Sequence, residues 1–280
     1  MQNFNFHTHT YRCRHADLDY SDEEYVLDYI KAGFKKIAFT DHCPEKNRID
    51  TRTKMRMHYS EKDEYLNSIK NLKEKYKDKI EILTGFEVEY LPGEEENIKE
   101  LKDETDILIL GQHFVYDDLK QNLLIFGKHD FTDKELIRYS EYVEKAAEFK
   151  IPNIIAHPDF YMQNRKNFGK IEEEVAHRIC RAAEKNNIIL EINVNGVHKH
   201  TYRNNKTLNN DPIEEQRKRL AKVEYPCKDF WNIAKEYNIK VLYGIDAHYK
   251  GQIANFEKTV KLTNELLGEE ILSELNFIKE

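Results

Sequence analysis

"NFNFHTHTYRCRHADLDYSDEEYVLDYIKAGFKKIAFTDH", residues 3–42, holds two short apolar runs with an amphipathic stretch between them. "NFNFHTHT" (3–10) alternates apolar and polar residues at the period of two that a strand requires. "SDEEYVLDYIKAGF" (21–34) has Ser21 as an N-cap, acidic residues in its first turn and a stop at Gly33, so it predicts a helix. "KKIAFTDH" (35–42) predicts a buried strand. Both strands end on imidazole: His7 and His9 on the first, His42 on the second.

The same unit recurs down the chain. Strands are predicted in "KIEILTGFEVEY" (79–90), "DILILGQHFV" (106–115), "IPNIIAHPD" (151–159), "IILEINVNG" (188–196) and "KVLYGIDAH" (240–248). Helical stretches separate them, among them "TDKELIRYSEYVEKAAEF" (132–149), "IEEEVAHRICRAAEKNN" (171–187) and "CKDFWNIAKEYN" (227–238). Segments 43–59 and 116–131 carry little pattern, and 197–225 is a long insertion. Strands alternating with helices imply a parallel sheet with crossover helices, an α/β fold. No Gly, Ser or Pro linker divides the chain and no repeat appears, so residues 1–280 are expected to form one domain, a closed α/β barrel. The rival is an open doubly wound sheet, but no GxGxxG supports it.

Composition narrows the function. With 44 Lys plus Arg against 51 Asp plus Glu, the formal charge is −7, which disfavours a nonspecific grip on nucleic acid. Charged runs such as "NLKEKYKDKIE" and "EEENIKELKDE" are expected to be solvated helix faces. No apolar stretch reaches the roughly 20 residues of a membrane span, and no signal peptide is visible. Cys13, Cys43, Cys180 and Cys227 are far apart and form no CxxC pair, as expected in a reducing, cytoplasmic compartment.

The polar residues at the strand ends carry the chemistry. His7 and His9, His42, Glu87 and Glu89, His113, His157 and Asp159, and Asp246 and His248 end six of the seven strands. In a barrel of parallel strands these ends share one rim, and residues i and i+2 face the same side. Imidazole and carboxylate are ligands for zinc, manganese and iron. Several of them at one mouth are expected to hold more than one ion, and Glu87 is placed to bridge a pair. Ions about 3.5–4 Å apart clamp a phosphoryl group and generate a nucleophile from water. "HKH" (198–200) lies in a polar loop and is expected at the surface, and His58, His129 and His177 carry no signal.

This set resembles the polymerase-and-histidinol-phosphatase (PHP) family of metallophosphoesterases. The matching motifs are "HTH" (7–9), "CRHAD" with His15, "FTDH" with His42, "GFEVEY" with Glu87, "GQHFV" with His113, "AHPD" with His157 and "GIDAH" with Asp246 and His248. The resemblance implies a distorted (β/α)7 TIM-like barrel with a trinuclear centre of divalent transition ions: Zn, Mn or Fe. It implies one ion on His7, His9, Glu87 and Asp246, a second sharing Glu87 with His113 and His157, and a third on His15, His42 and His248. Within the family the likeness is greatest to the histidinol-phosphate phosphatases, through "EVEYLPGEEENIKEL", "DILILGQHFV", "LEINVNG" and "EYPCKDFWNIAKEYNIKVLYGIDAH". Ile245 stands where that group commonly has Ser, and Gln112 where it often has Ser-Val; neither change removes a ligand.

The expected activity is hydrolysis of a small-molecule phosphomonoester, L-histidinol phosphate, by a hydroxide that bridges two ions and attacks phosphorus in line. Asp17, Asp246 and His248 are candidates to move the proton that the leaving alkoxide needs. The planar guanidinium suits paired phosphate oxygens. Arg165 and Arg203 lie in rim-side loops from which, by the resemblance, phosphate-binding arginines are drawn. Asn193 and Asn195 are further candidates for substrate hydrogen bonds, whereas Cys13 is a bystander. Two alternatives are a nuclease or nucleotide phosphoesterase of the same family and a noncatalytic metal-storing domain. Neither nucleic acid nor a membrane is expected as a partner.

Overall fold

Helix α1 (Asp22–Lys31) starts where the sequence places its cap. Ser21 Oγ accepts the Glu24 N–H at 3.3 Å, and the Glu24 carboxylate accepts the Ser21 N–H at 2.8 Å. This reciprocal box satisfies donors that the first turn would otherwise leave orphaned. Tyr25, Val26 and Tyr29 form its buried face. It connects β1 (Phe4–Asn5) to β2 (Lys36–His42), which pair in parallel. The structure, a computed structural model, describes residues 2–46, 55–119, 122–201 and 218–279.

The alternation continues through α2 (Lys62–Tyr76), β3 (Glu81–Val88), α3 (Glu95–Glu104) and β4 (Ile107–Leu110). A hairpin of β5 (Phe114–Tyr116) and β6 (Leu123–Ile125) then intervenes. After it come α4 (Asp133–Glu148), β7 (Ile154–Ile155), α5 (Lys170–Asn186), β8 (Ile189–Asn193) and α6 (Asn195–Thr201). Helix α7 (Lys228–Ala234), β9 (Lys240–Gly244), α8 (Phe256–Leu267), α9 (Glu269–Leu272) and β10 (Asn276–Phe277) complete the described chain.

The main sheet runs β1-β2-β3-β4-β7-β8-β9-β10, with every neighbouring pair parallel. It curls until the continuations of β1 and β9 meet. Just past β1 and β9, a parallel bridge joins Thr8 to Ala247, with His9 N donating to Ala247 O at 2.9 Å. The seven expected strands are all present. An eighth, β10, lies beside the lower end of β9, with Asn276 opposite Lys240.

Side-chain alternation divides the core into two layers. Ile37, Phe39, Phe86, Leu108 and Leu110 face outward, into the large cluster that includes the helix residues Tyr25, Tyr29, Ile69 and Val143. Phe4, Ala38, Ile107, Ile109, Ile154, Ala156 and Leu242 face inward and plug the barrel floor. Strands buried on both faces are the expected mark of a parallel sheet covered by helices. Above the floor plug, at the carboxyl ends of the strands, the inward residues become polar.

Candidate metal centre

The strand period carries specific residues from the plug to the mouth. On β3, Leu83 packs on the plug and Glu87 lies four residues above it; on β8, Ile189 is followed by Glu191 and Asn193. On β2, Ala38 leads to His42. The first strand departs from this rule. Phe4 and Phe6 stack at 5.3 Å within the plug, yet His7 and His9 line the mouth, so the alternation slips once between Phe6 and His7. Two further side chains are aimed by unusual backbone: His157 has φ +30° and Asp246 φ +51°, a region that non-glycine residues enter at a cost.

Glu87 sits at the middle. Its Oε1 is 3.0 Å from His157 Nε2, 3.5 Å from His7 Nε2 and 3.7 Å from His113 Nε2. Its Oε2 is 2.9 Å from His42 Nδ1 and 3.4 Å from His9 Nε2. Asp246 Oδ1 lies 3.2 Å from His9 Nε2 and 3.5 Å from His7 Nε2. His15 reaches the group from a loop, its Nε2 2.9 Å from His248 Nε2. Ligand atoms lie within 4.8 Å of one another in the triads His7/His9/Asp246, His7/Glu87/His157, His9/His42/Glu87 and His15/His42/His248. All these side chains are buried except His15, which is half-buried.

Carboxylates stand behind three of the rings and fix two of them by hydrogen bonds. Glu191 holds His7 Nδ1 at 2.9 Å, Glu89 holds His113 Nδ1 at 2.9 Å, and Asp41 lies 3.6 Å from His9 Nδ1. These carboxylates are secured in turn. Asp41 accepts from the Thr10 hydroxyl, and Glu89 meets Arg56 at 3.3 Å. A carboxylate behind the outer nitrogen is the usual support of a metal-ligating histidine. Asp246 Oδ2 accepts from Asn195 at 2.8 Å and from Asn193 at 3.3 Å.

The donor inventory tests whether a cation fits. His15 Nδ1 bonds the Cys13 carbonyl at 2.7 Å, and His248 Nδ1 bonds the Asp246 carbonyl at 2.9 Å. A carbonyl only accepts, so both Nδ1 atoms carry protons. Both Nε2 atoms then present lone pairs to each other at 2.9 Å. A proton is a poor bridge there: burial, with His248 and His9 beside it, presses His15 down to about 2, and burial and His9 lower His248 as well. His157 Nδ1 is buried with no hydrogen-bond partner. Five buried carboxylates (Asp41, Glu87, Glu89, Glu191 and Asp246) surround the same rings. Buried charge of one sign calls for its opposite. The residues fit metal cations.

Protons compete for some of these nitrogens. Burial opposes charge on His9, but Asp246, Asp41 and Glu87 outweigh it and lift the ring to about 9. His7 is raised well above its usual value, where Glu191, Asp246 and Glu87 overcome burial. The two central acids go the other way. Burial alone would raise Glu87, yet His42, His113 and His7 hold it well below the carboxylate range; His7 and His248 do the same for Asp246.

A cavity of about 160 Å³ opens on this cluster, lined by His15, His42, Glu87, His113, His157, Asp246 and His248, with Met55, Phe160, Asn195, Lys199, Tyr225 and Tyr249. The structure thus brings together the nine side chains expected as ligands. Other expectations fare differently. Arg165 is turned away: Nε donates to Glu172 at 2.7 Å and a terminal nitrogen to Phe131 O at 3.0 Å, and the side chain lines a neighbouring cleft. Arg203 lies outside the described residues. Asp17 is not among the lining residues; its carboxylate accepts the Lys250 N–H at 2.8 Å and ties two loops. Asp159 turns from the mouth to accept from Cys227 N at 2.6 Å and Trp231 Nε1 at 3.0 Å. Cys13 lies within ligand distance of His9 and His248, though burial, with Asp41 nearby, raises its thiol well above the usual value.

"HKH" is a correction. His198–His200 are not a surface loop but the body of α6, with His198 buried and Lys199 on the cavity wall. Asn195, which begins the helix, binds Asp246 and so draws this segment inward. Glu191 is the other omission. A lone acid inside the apolar run "ILEINV" is the sequence signal of a buried polar task.

The family model described as PHP domain matches residues 5–195. A histidinol-phosphatase of Bacillus subtilis is 26% identical over 280 residues, which cover 90% of this chain and 96% of that relative. A solved Listeria monocytogenes structure, whose name proposes a histidinol phosphatase, has a TM-score of 0.70 at 22% identity and covers 91% of this chain and 99% of its own. A histidinol phosphate phosphatase from Lactococcus lactis, solved with Zn, L-histidinol and phosphate, has a TM-score of 0.64 at 17% identity and covers 99% and 95%. At these identities the two structures establish a shared fold.

Proposed function

The chain belongs to the PHP domain family, and from that membership we propose that it is a metal-dependent phosphomonoesterase converting L-histidinol phosphate to L-histidinol and phosphate, a step of histidine synthesis. One observation carries the metal dependence: the facing lone pairs of His15 and His248, which a cation between them resolves. The substrate is supported by the named relative, aligned over 90% of this chain, and by the ligands of the Lactococcus lactis structure.

We assign His7, His9, Glu87 and Asp246 to one divalent ion, His113 and His157 with a shared Glu87 to a second, and His15, His42 and His248 to a third. The ions are of the Zn, Mn or Fe kind. Bound there, they supply a water of lowered pKa as nucleophile and positive charge for the phosphoryl oxygens. The chain's own residues do the rest. Glu191 and Glu89 hold the His7 and His113 rings at fixed angles. Asn193 and Asn195 fix Asp246. Phe160, Tyr225 and Met55 wall the cavity and limit water. Asp246 and His248, which line it, are assigned to pass a proton from the attacking water to the leaving oxygen. We read residues 1–280 as one domain, since Asp246 and His248 lie beyond the matched segment yet complete the cluster. No helix among the described residues is long and apolar enough to cross a membrane. The unpaired Cys13, Cys43, Cys180 and Cys227 suit a cytoplasmic setting.

The test is phosphate release from L-histidinol phosphate by metal-replete protein. His9→Ala is expected to lower the rate by more than about a hundredfold. Wild-type protein that carries its metal yet leaves this ester intact would overturn the assignment.

A further inference from the structure

Arg165 faces away from the cavity, and among the described residues Lys199 is its one lining side chain with an ammonium or guanidinium group. Its position is built. Asn195 and Lys199 are four residues apart on α6 and therefore share a face. Asn195 fixes that face to Asp246 at 2.8 Å, and both residues line the cavity. Lys199 Nζ donates to Tyr225 Oη at 3.0 Å and lies 5.7 Å from the centre of its ring. Tyr225 packs beside Phe160, with ring centres 5.3 Å apart, on the same wall.

The donor count says what this pair offers. An ammonium has three N–H donors and one is spent on Tyr225. The phenol accepts that bond, so its own O–H is left to donate. Together they present a positive charge and a neutral donor to a cavity that the His and acid cluster also lines. Such a pair suits an oxyanion carrying more charge than metal ions alone would neutralise.

We infer that Lys199, with Tyr225 at its side, takes the phosphoryl oxygens of the substrate, an inference that deepens the phosphomonoesterase reading and rests on it for the substrate's identity. Lys199 is thus a substrate-binding residue and Tyr225 an auxiliary donor.

Inorganic phosphate is the probe, titrated calorimetrically into the metal-loaded full chain, beside steady-state kinetics on L-histidinol phosphate. Lys199→Met is expected to weaken phosphate binding by about tenfold to a hundredfold and to raise KM similarly, with bound metal unchanged. Lys199→Arg keeps the charge and is expected to recover most of the affinity. Tyr225→Phe removes only a hydroxyl and is expected to weaken binding by less, about three- to tenfold. It serves as the deciding variant if Lys199→Met loses its metal or its cooperative melt. Phosphate affinity within about twofold of wild type in the folded variants sinks the inference. Binding that depends on Lys199 in a protein inert to histidinol phosphate sinks the substrate assignment and leaves Lys199 its role. Turnover indifferent to Lys199 does the reverse.

Discussion

Glu191 has no place in the expected ligand set, yet it decides where His7 looks. Its carboxylate holds His7 Nδ1 at 2.9 Å and receives the Asn193 amide at 2.8 Å. Glu191→Gln keeps the volume and removes the charge. Metal affinity is expected to fall about 10- to 100-fold, as for other supporting carboxylates, while the thermal melt of the chelated protein changes little. Competition against a chelator of known affinity measures it, and unchanged retention of metal would remove Glu191 from the account. Histidines and acids were legible in the sequence because they recur at the ends of successive strands. Glu191 and Lys199 were not, for opposite reasons. The first sits alone in an apolar run, where nothing names its partner. The second sits in "HKH", whose polarity suggests solvent until Asn195 pins the short helix to Asp246.

At the scale of elements, two strands leave room for two acids. A Cβ on Gly111, just past β4, would lie 1.7 Å from Glu87 Oε1, and one on Gly244, the end of β9, 2.0 Å from Glu191 Oε2. No real contact is that short, so each carboxylate occupies the space a side chain would need. Gly111→Ala is expected to displace Glu87, costing about 1–3 kcal/mol of stability and most of the activity. Metal content and a urea midpoint check it, and an alanine variant with full metal and full turnover would contradict the packing argument. The parallel strands and their helices were legible because each has its own period and caps. The break after β4 was not. "DILILGQHFV" reads as one apolar run, but Gln112 interrupts it by folding its side chain onto the backbone. It accepts from Tyr90 N at 3.0 Å and donates to Tyr90 O at 3.2 Å and to Phe114 O at 2.6 Å, and β5 turns away to pair with β6. β10 is too short, at two residues, to carry any pattern.

For the molecule as a whole, metal, protons and folding are linked. In the chelated protein, His9 has its folded value raised to about 9. The stability it contributes is therefore fully present below the unfolded value near 6.5 and lost as pH rises through about 9. His15 acts in the opposite sense. Held down at about 2, it stays neutral while its unfolded counterpart charges below 6.5, so stability falls with pH there. A metal ion must displace the His9 proton, so metal affinity is expected to rise about tenfold per pH unit for that proton between pH 6.5 and 9. The gap in Tm between metal-loaded and chelated protein is expected to widen over the same range. Calorimetry in buffers of different ionisation enthalpy counts the protons released, and a count of zero at pH 7 would contradict the assignment. Barrel closure itself was only partly legible: alternation implied a sheet, but no residue pattern announces the Thr8 to Ala247 bridge. That junction has a consequence for biosynthesis. His7 and His9 leave the ribosome early, whereas Asp246 and His248 emerge some 240 residues later; at roughly 5–20 residues per second the delay is on the order of ten to fifty seconds. Through that interval the sites that Asp246 and His248 complete stay open, so their loading waits for the last strand, and a prematurely terminated product lacks them.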